Sequence, residues 1–321
     1  MAKLNNLLEV ITKDRVYIQM HNYPDQDAIA SAFGLKTLLE SSGVKATICY
    51  HGRIDKFNTL KMIEQLHIDI VEDFDLTINE MDEIILIDGQ LGNVNMNPIH
   101  GNMIACIDHH PISLKQDYKF CDIRSDCGAC STIIADYFME MNIELPEEVA
   151  TALLYGIKMD TSNLTRRVSN LDLDMFAYLY KKADIDKLIQ FDNCSLRRED
   201  LIAYQDAIST LRICDYVGIA KIGDDCSEAI IGTVSDFLLT LAEVKVSLVY
   251  AYRVGGLKFS VRSENKDIDA GRIIREALEG IGDGGGHNQM AAGFVPNLSD
   301  STEVAEMANV VTKRVIQLVN G

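Results

Sequence analysis

The chain has 321 residues, of which 47% are hydrophobic, and its formal net charge is -18. That length accommodates two domains with a substantial core, and that hydrophobic content excludes a disordered chain. The acidic balance argues against a binder of long duplex DNA, while leaving room for short nucleotides held in a local basic pocket or by metal ions.

Met1-Ala2-Lys3-Leu4-Asn5-Asn6 has no signal-peptide architecture, and no apolar run is long enough to span a bilayer. The expectation is a soluble cytoplasmic protein with no membrane partner. Val16–Met20 reads as a strand rich in β-formers, followed by the loop His21-Asn22-Tyr23-Pro24-Asp25-Gln26-Asp27. From Ala28 to Ser41 the apolar spacing is helical, and Gly43 closes the helix. Lys45–Tyr50 is the next strand, and a helix follows from Asn58 to Leu66.

Glu83–Asp88 is a continuous apolar strand ending in an acid. So is Met103–Asp108, which runs on into His109 and His110. Alternation along a strand sends Asp108 and His110 one way and His109 the other. Lys119–Ile123 reads as an edge strand. Strands apolar on both faces and separated by helices predict a mainly parallel sheet with helices on both faces.

Eight cysteines are scattered at positions 49, 106, 121, 127, 130, 194, 214 and 226. Reduced, mostly buried thiols are expected of them. Cys127-Gly128-Ala129-Cys130 has the spacing of a redox dithiol, but a structural reading is favoured. A zinc site would need a second ligand pair, and only Cys121 is near.

From Ser131 the chain turns helical, with Ser131 and Thr132 available to cap Ile133–Met141. Pro146-Glu147-Glu148 opens a helix that ends before Asp160-Thr161. Helices follow at Leu171–Lys182, Ile185–Phe191 and Arg198–Leu211. The charged face of the last marks it as a connector. The predicted division is a metal-binding domain over 1–190, a helical connector over 191–211 and a smaller α/β domain over 212–321.

In the second domain Ile213–Ile222, Ala229–Val234, Val246–Val254 and Leu257–Arg262 read as strands, with a hairpin turn at Gly255-Gly256. Ile268–Leu278 is a helix, and a shaped glycine loop follows at Gly284-Gly285-Gly286-His287. Ala291–Val295 and a helix over Ser301–Val319 complete the chain.

The acids and imidazoles at these element ends suggest one chemistry. If His21, Asp25, Asp27, Asp88, Asp108, His109, His110 and Asp160 converge, their carboxylates cannot all stay ionised without cations. Mixed carboxylate and imidazole donors suit manganese, iron, cobalt or zinc. Two such ions form a clamp for hydrolysing phosphate esters. Taken singly, Asp25 and Asp27 are ordinary turn residues, and Asp88 and Asp160 ordinary element ends. Three consecutive glycines let backbone N–H groups approach an anion, and a flexible linker is the alternative. Arg262-Ser263 at a strand end is either a donor to a phosphate or base edge, or a solvated arginine.

The pattern His21-x-x-Pro24-Asp25-x-Asp27, then Asp88, Asp108-His109-His110 and Asp160-Thr161, resembles the four motifs of the DHH/DHHA1 phosphoesterase family. Gly284–His287 followed by Ala291-Ala292-Gly293 resembles the glycine-rich signature of the DHHA1 domain. Among two-domain members the chain is similar to the nanoRNase group, oligoribonuclease/3′-phosphoadenosine 5′-phosphate phosphatases.

That resemblance implies two divalent metal ions, manganese by preference. One would be held by His21, Asp25 and Asp88, the other by Asp27, Asp88, His109 and Asp160. Asp108 would orient this shell and His110 would contact the scissile phosphate. Arg262, Ser263, Gly284, Gly285, Gly286 and His287 would hold the substrate's terminal nucleotide or phosphate, in a domain that closes over the cleft on a hinge near 190–211. The implied substrate is a short linear oligonucleotide, dinucleotides such as pGpG first, and a homodimer is an allowed assembly. Phosphatase action on 3′-phosphoadenosine 5′-phosphate, hydrolysis of pyrophosphate and a non-catalytic nucleotide sensor are the alternatives. Asp283 and Met290 depart from the family pattern, and Arg166-Arg167 after the fourth motif are either substrate contacts or a local charge offset.

Overall fold

The computed structural model describes residues 3–320 apart from 55, 94, 113–116, 194, 195, 197, 225 and 254. Cys194 and the predicted strand end Val254 lie outside the described residues. Contacts divide the chain into two units, residues 1–195 and 196–321.

The first unit runs α1 (Lys3–Val10), β1 (Arg15–Met20), α2 (Gln26–Ser41), β2 (Lys45–Tyr50), α3 (Phe57–Gln65), β3 (Ile70–Glu72), β4 (Glu83–Ile87), β5 (Asn102–Asp108), β6 (Phe120–Ile123), α4 (Cys130–Met141), α5 (Glu147–Asp160), α6 (Asn170–Tyr180) and α7 (Ile185–Asp192). Its six strands are all parallel, in the order β3-β2-β1-β4-β5-β6. The apolar runs explain this. β4 is buried at every position, which only a sheet covered on both faces permits. Ile18, Ile85 and Ile107 on neighbouring strands are fully buried against the α2, α4 and α5 side. Each such side chain stabilises the fold by about 1.5–3 kcal/mol. Cys49, Ile84, Leu86 and Cys106 pack on the opposite face with Met96. The strand order reverses direction between β1 and β4, and at such a switch point a crevice opens at the carboxyl ends of the strands.

α1 and β3 have no counterpart in the sequence reading. α1 is short, but Leu4 and Leu7 are fully buried, so tertiary packing and not propensity holds it. The start of α4 also differs. Its cap position is Ala129, with no side-chain cap, and the Ser131 and Thr132 side chains bond elsewhere.

The second unit runs α8 (Asp200–Thr210), β7 (Arg212–Cys214), β8 (Val217–Lys221), α9 (Glu228–Leu239), β9 (Val246–Arg253), β10 (Gly256–Ser263), α10 (Ala270–Ala277), β11 (Asp283–Gly286), β12 (Met290–Pro296) and α11 (Ser301–Asn320). Its sheet has the order β11-β12-β10-β9-β8-β7, antiparallel except for the β8–β9 pair. Ala203 and Ala207 of α8 are buried with Val234 and Leu238 of α9 and with Val249, so this helix belongs to the core of the second unit. Its outward face carries exposed Leu201, Ile202 and Ile208 beside the partly exposed Asp200 and Asp206.

The structure corrects three local predictions. The single strand over 213–222 is a hairpin, turned at Asp215 with φ of 55°. The strand over 229–234 is the helix α9. Ser227 caps it through Ile230 N–H at 3.3 Å, and Ile230, Ile231, Val234 and Leu238 fall on one buried helical face. The glycine run is not a loop but the edge strand β11, with Gly284 opposite Gly293 and Gly286 opposite Ala291. No helix among the described residues is long and apolar enough to cross a membrane.

Candidate metal centre

Each ligand candidate sits where a regular element stops. His21 follows β1, Asp88 follows β4, Asp108 ends β5 and Asp160 ends α5. Asp25 is the N-cap of α2, its Oδ1 accepting the N–H groups of Asp27 and Ala28 at 3.0 and 3.2 Å. Asp27 lies in the first turn of that helix, almost fully buried. The strand ends at the switch point therefore bring these side chains to one crevice.

The distances form two groups joined by one carboxylate. His21 Nε2 lies 3.6 Å from Asp88 Oδ2 and 4.0 Å from Asp25 Oδ1. His109 Nε2 lies 3.4 Å from Asp88 Oδ1, 3.3 Å from Asp160 Oδ2 and 4.0 Å from Asp27 Oδ2. In each trio, His21/Asp25/Asp88 and Asp27/His109/Asp160, one donor atom per residue lies within 4.8 Å of the others. Asp88 turns one oxygen to each imidazole, and it holds a left-handed φ of 54° to do so. An aspartate bears that conformation at a cost of roughly 1–3 kcal/mol.

The surrounding chain aims these atoms. His21 Nδ1 donates to Asn22 O at 2.8 Å and His109 Nδ1 to Cys127 O at 3.3 Å, so both Nε2 atoms face the crevice. The two oxygens of Asp27 accept Cys130 N–H and Ser131 N–H at 2.7 and 2.9 Å, the first amides of α4. A helix N-terminus favours a carboxylate there. Gly156 lets α5 come close, since a Cβ on it would lie 2.9 Å from Asp27 Oδ1.

The predicted strand alternation at Asp108-His109-His110 does not hold. β5 ends at Asp108, whose Oδ1 accepts His109 N–H at 2.8 Å, His110 N–H at 3.2 Å and His110 Nδ1–H at 2.9 Å. That carboxylate curls the chain, and the two imidazoles lie edge to face 4.4 Å apart, both toward Asp88. Asp108 Oδ2 accepts Gln90 Nε2–H at 2.7 Å.

Gln90 and Asp172 escaped the sequence reading. Asp172 is fully buried and accepts from Gly128 N–H, Ser169 N–H and the Thr132 and Ser169 hydroxyls, which anchors the start of α4. Gln90 acts across a long sequence separation and carries no local signal, whereas Ser169-x-x-Asp172 is a capping box at the start of α6 that the sequence does display.

The charges are out of balance. Burial, then the fields of Asp88 and Asp160, raises the Asp27 carboxyl well above its ordinary value. Burial and the Asp25 charge push Asp160 up to about 6. For His109 burial works against the charged form, but pairing with Asp88 and the Asp27 and Asp160 charges prevail and raise it to about 10. Burial also opposes charge on Asp25 and Asp108. At Asp25 the His21 and Lys56 charges together with the Ala28 and Asp27 amides outweigh it, and at Asp108 the His110 and Gln90 hydrogen bonds together with the His110 and His109 charges do, so both stay below the usual range.

Asp88 Oδ1 and His109 Nε2, 3.4 Å apart, are buried without an aligned hydrogen-bond partner among the described residues. Two such atoms aimed at each other across a cluster of acids fit a cation between them. The donor set of carboxylate oxygens and imidazole nitrogens suits a divalent transition metal.

In the second unit Arg262, Gly285, Gly286 and His287 line one groove of about 480 Å³, together with Lys258 and Met290. Arg262 donates to Asp236 Oδ1 at 2.8 Å and to Ser260 Oγ at 2.9 Å. Two predicted members do not line that groove. Ser263 is buried and donates to Asn265 O at 3.1 Å, and Gly284 faces Ile274 and Leu278 beneath the strand. Arg166 donates to Asp160 O at 3.3 Å. Cys127 and Cys130 are buried free thiols. Burial pushes Cys127 up to about 12 and Cys130 well above its ordinary value, which keeps both protonated and unreactive.

Residues 15–157 match the profile of the DHH family, N-terminal domain, and residues 215–317 that of the DHHA1 domain. The chain is 31% identical over 286 residues to the uncharacterized protein MJ1633 of Methanocaldococcus jannaschii, covering 88% of this chain and 58% of that one. It is 26% identical over 327 residues to the cyclic-di-AMP phosphodiesterase GdpP of Geobacillus thermodenitrificans, covering 92% of this chain and 46% of that one. The chain thus spans about half the length of these two relatives. An exopolyphosphatase-related protein from Bacteroides fragilis has the same fold, with a TM-score of 0.78, 18% identity and coverage of 99% and 97% of the two chains.

Proposed function

This chain belongs to the DHH family, a DHH domain followed by a DHHA1 domain, and on that footing we propose that it is a metal-dependent phosphodiesterase that cleaves short linear oligonucleotides to mononucleotides. Dinucleotides such as pGpG are its preferred substrates. The observation that carries this reading is the pair of buried atoms Asp88 Oδ1 and His109 Nε2, 3.4 Å apart without an aligned hydrogen bond, inside a cluster of five carboxylates. The cyclic-dinucleotide phosphodiesterase among the relatives supports a nucleotide substrate.

In this reading His21, Asp25 and Asp88 hold one metal ion, and Asp27, Asp88, His109 and Asp160 hold a second, with manganese the favoured ion. Such ions neutralise phosphoryl oxygens and make water nucleophilic near neutral pH. The chain's own groups do the rest. Asp108 fixes His110 through Nδ1–H, which leaves the other ring nitrogen for the scissile phosphate. Burial disfavours charge on His110, yet its bond to Asp108 and the Asp88 charge raise its pKa in the metal-free fold. The α4 amides hold Asp27 in register without a mobile side chain. Arg262, Lys258 and the Gly285–His287 backbone form the seat for a terminal nucleotide or phosphate.

The test is a manganese-dependent turnover panel on one purified sample. It compares pGpG, pApA, a five-nucleotide RNA, cyclic di-AMP, 3′-phosphoadenosine 5′-phosphate and pyrophosphate. Fastest cleavage of the linear dinucleotides is expected. Release of phosphate from the adenosine bisphosphate or pyrophosphate alone would make the protein a phosphatase. Tight dinucleotide binding without turnover would make it a sensor.

A further inference from the structure

Tyr23 stands between two of the proposed ligands, two residues from His21 and two from Asp25. Its Cα is therefore within about 7 Å of each of theirs. A large aromatic side chain in such a place would ordinarily be packed away, yet Tyr23 is 65% exposed. It is also not loose. Its φ of 55° is left-handed, a conformation that a tyrosine keeps only when its surroundings impose it. Its N–H is bonded to His51 O at 2.8 Å, at the carboxyl end of β2. One side of the ring rests on Gly52, where a Cβ would come within 2.7 Å of Cδ1 and Cε1. Gly52 has φ of 92°, so the turn requires glycine twice over, for its backbone and for the ring above it. The ring is thus backed on one side and open on the other, at the sheet edge where the acid cluster lies.

We propose that Tyr23 is a stacking platform for a nucleobase of the substrate, the base adjoining the phosphate held at the acid cluster. This rests on the nucleotide reading given above. A flat π-face suits any base, so Tyr23 contributes affinity for nucleotides over base-free phosphates without choosing among the four bases. A ring held in advance loses little freedom when a base settles on it.

The test uses the full chain with manganese. With pApA, Tyr23→Ala raises KM about tenfold while kcat stays within about twofold, and Tyr23→Phe behaves as wild type. The chain has no tryptophan, so Tyr23→Trp places a lone reporter at this point. The indole emission of that variant is quenched on titration with AMP and not with inorganic phosphate. A wild-type KM in Tyr23→Ala, or emission from Tyr23→Trp that is indifferent to AMP, overturns the platform. If wild type turns over no nucleotide, the functional reading itself fails, and the emission titration still decides Tyr23 separately.

Discussion

The two sheets treat their polar groups in opposite ways. At the carboxyl edge of the parallel sheet, Asp27, Asp88 and His109 are almost wholly buried, and Asp88 Oδ1 and His109 Nε2 lack aligned partners among the described residues. On the mixed sheet, Arg262 is matched by Asp236 and Ser260, and the groove beside it is open. The first arrangement stores unfavourable charge that a cation would relieve. The second is at rest without a ligand. Anything that removes or replaces a cation should therefore register strongly in the first unit and little in the second.

The sharpest way to break that contrast is Asp88→Asn, which keeps the shape and removes the charge facing His21, His109 and His110. Dinucleotide turnover should fall about a thousandfold, since metal-borne charge stabilisation is worth several kcal/mol. A smaller loss than for Arg262→Ala, measured as kcat/KM side by side, would reverse the assignment. Next comes Asp108→Asn, which removes the charge and leaves one acceptor oxygen to serve both the His110 ring and the Gln90 amide. A loss of about 10- to 100-fold in activity or metal affinity is expected, read by metal titration and initial rates.

Stability sharpens the contrast through pH. Asp27 and Asp160 are raised in the metal-free fold, so what their protonated forms contribute is complete below pH about 4 and fades as pH rises through about 6 for Asp160. His109, raised to about 10, contributes fully below its ordinary value near 6.5 and loses its contribution as pH rises through about 10. The metal-free protein should melt lower at pH 8 than at pH 5. Manganese at a thousand times its dissociation constant should restore about 4 kcal/mol for each ion bound, and bind more tightly at the higher pH, where fewer protons compete for the same atoms. Calorimetry with and without chelator checks this, and a metal-free melting point that climbs from pH 5 to 8 would contradict it.

Arg262→Ala is the milder change on the other sheet. Loss of one charge-assisted contact should raise KM about tenfold, with kcat and the melting point nearly unchanged. Smallest of all, Cys130→Ala with Cys127→Ser should leave activity insensitive to oxidant or reductant, as protonated buried thiols imply.

The contrast also explains what could be read from the chain. The buried strands before His21, Asp88 and His109 are short apolar runs cut off by a charged or polar residue, a local pattern, so the parallel sheet and its ligand candidates were legible. The mixed sheet was less so. Ala229–Val234 is rich in β-branched residues and reads as a strand, but its buried positions follow a helical face that only the sheet beneath it defines. Gly284–Gly286 reads as a loop because glycine is a poor strand former, yet β12 pairs with it. In the site, the residue types were legible and their aim was not. The turn of His109 and His110 to one side depends on Asp108, and the setting of Asp27 depends on amides a hundred residues away.

The most direct test is the rate of pApA hydrolysis by chelator-stripped protein as manganese is returned, with bound metal counted on the same samples. Stripped protein should be inactive, and the rate should saturate as two ions bind per chain, with Asp88→Asn failing at both. Full activity in the stripped protein, or two ions bound with no dinucleotide cleaved, would contradict the claim that this acid cluster is a phosphodiesterase centre.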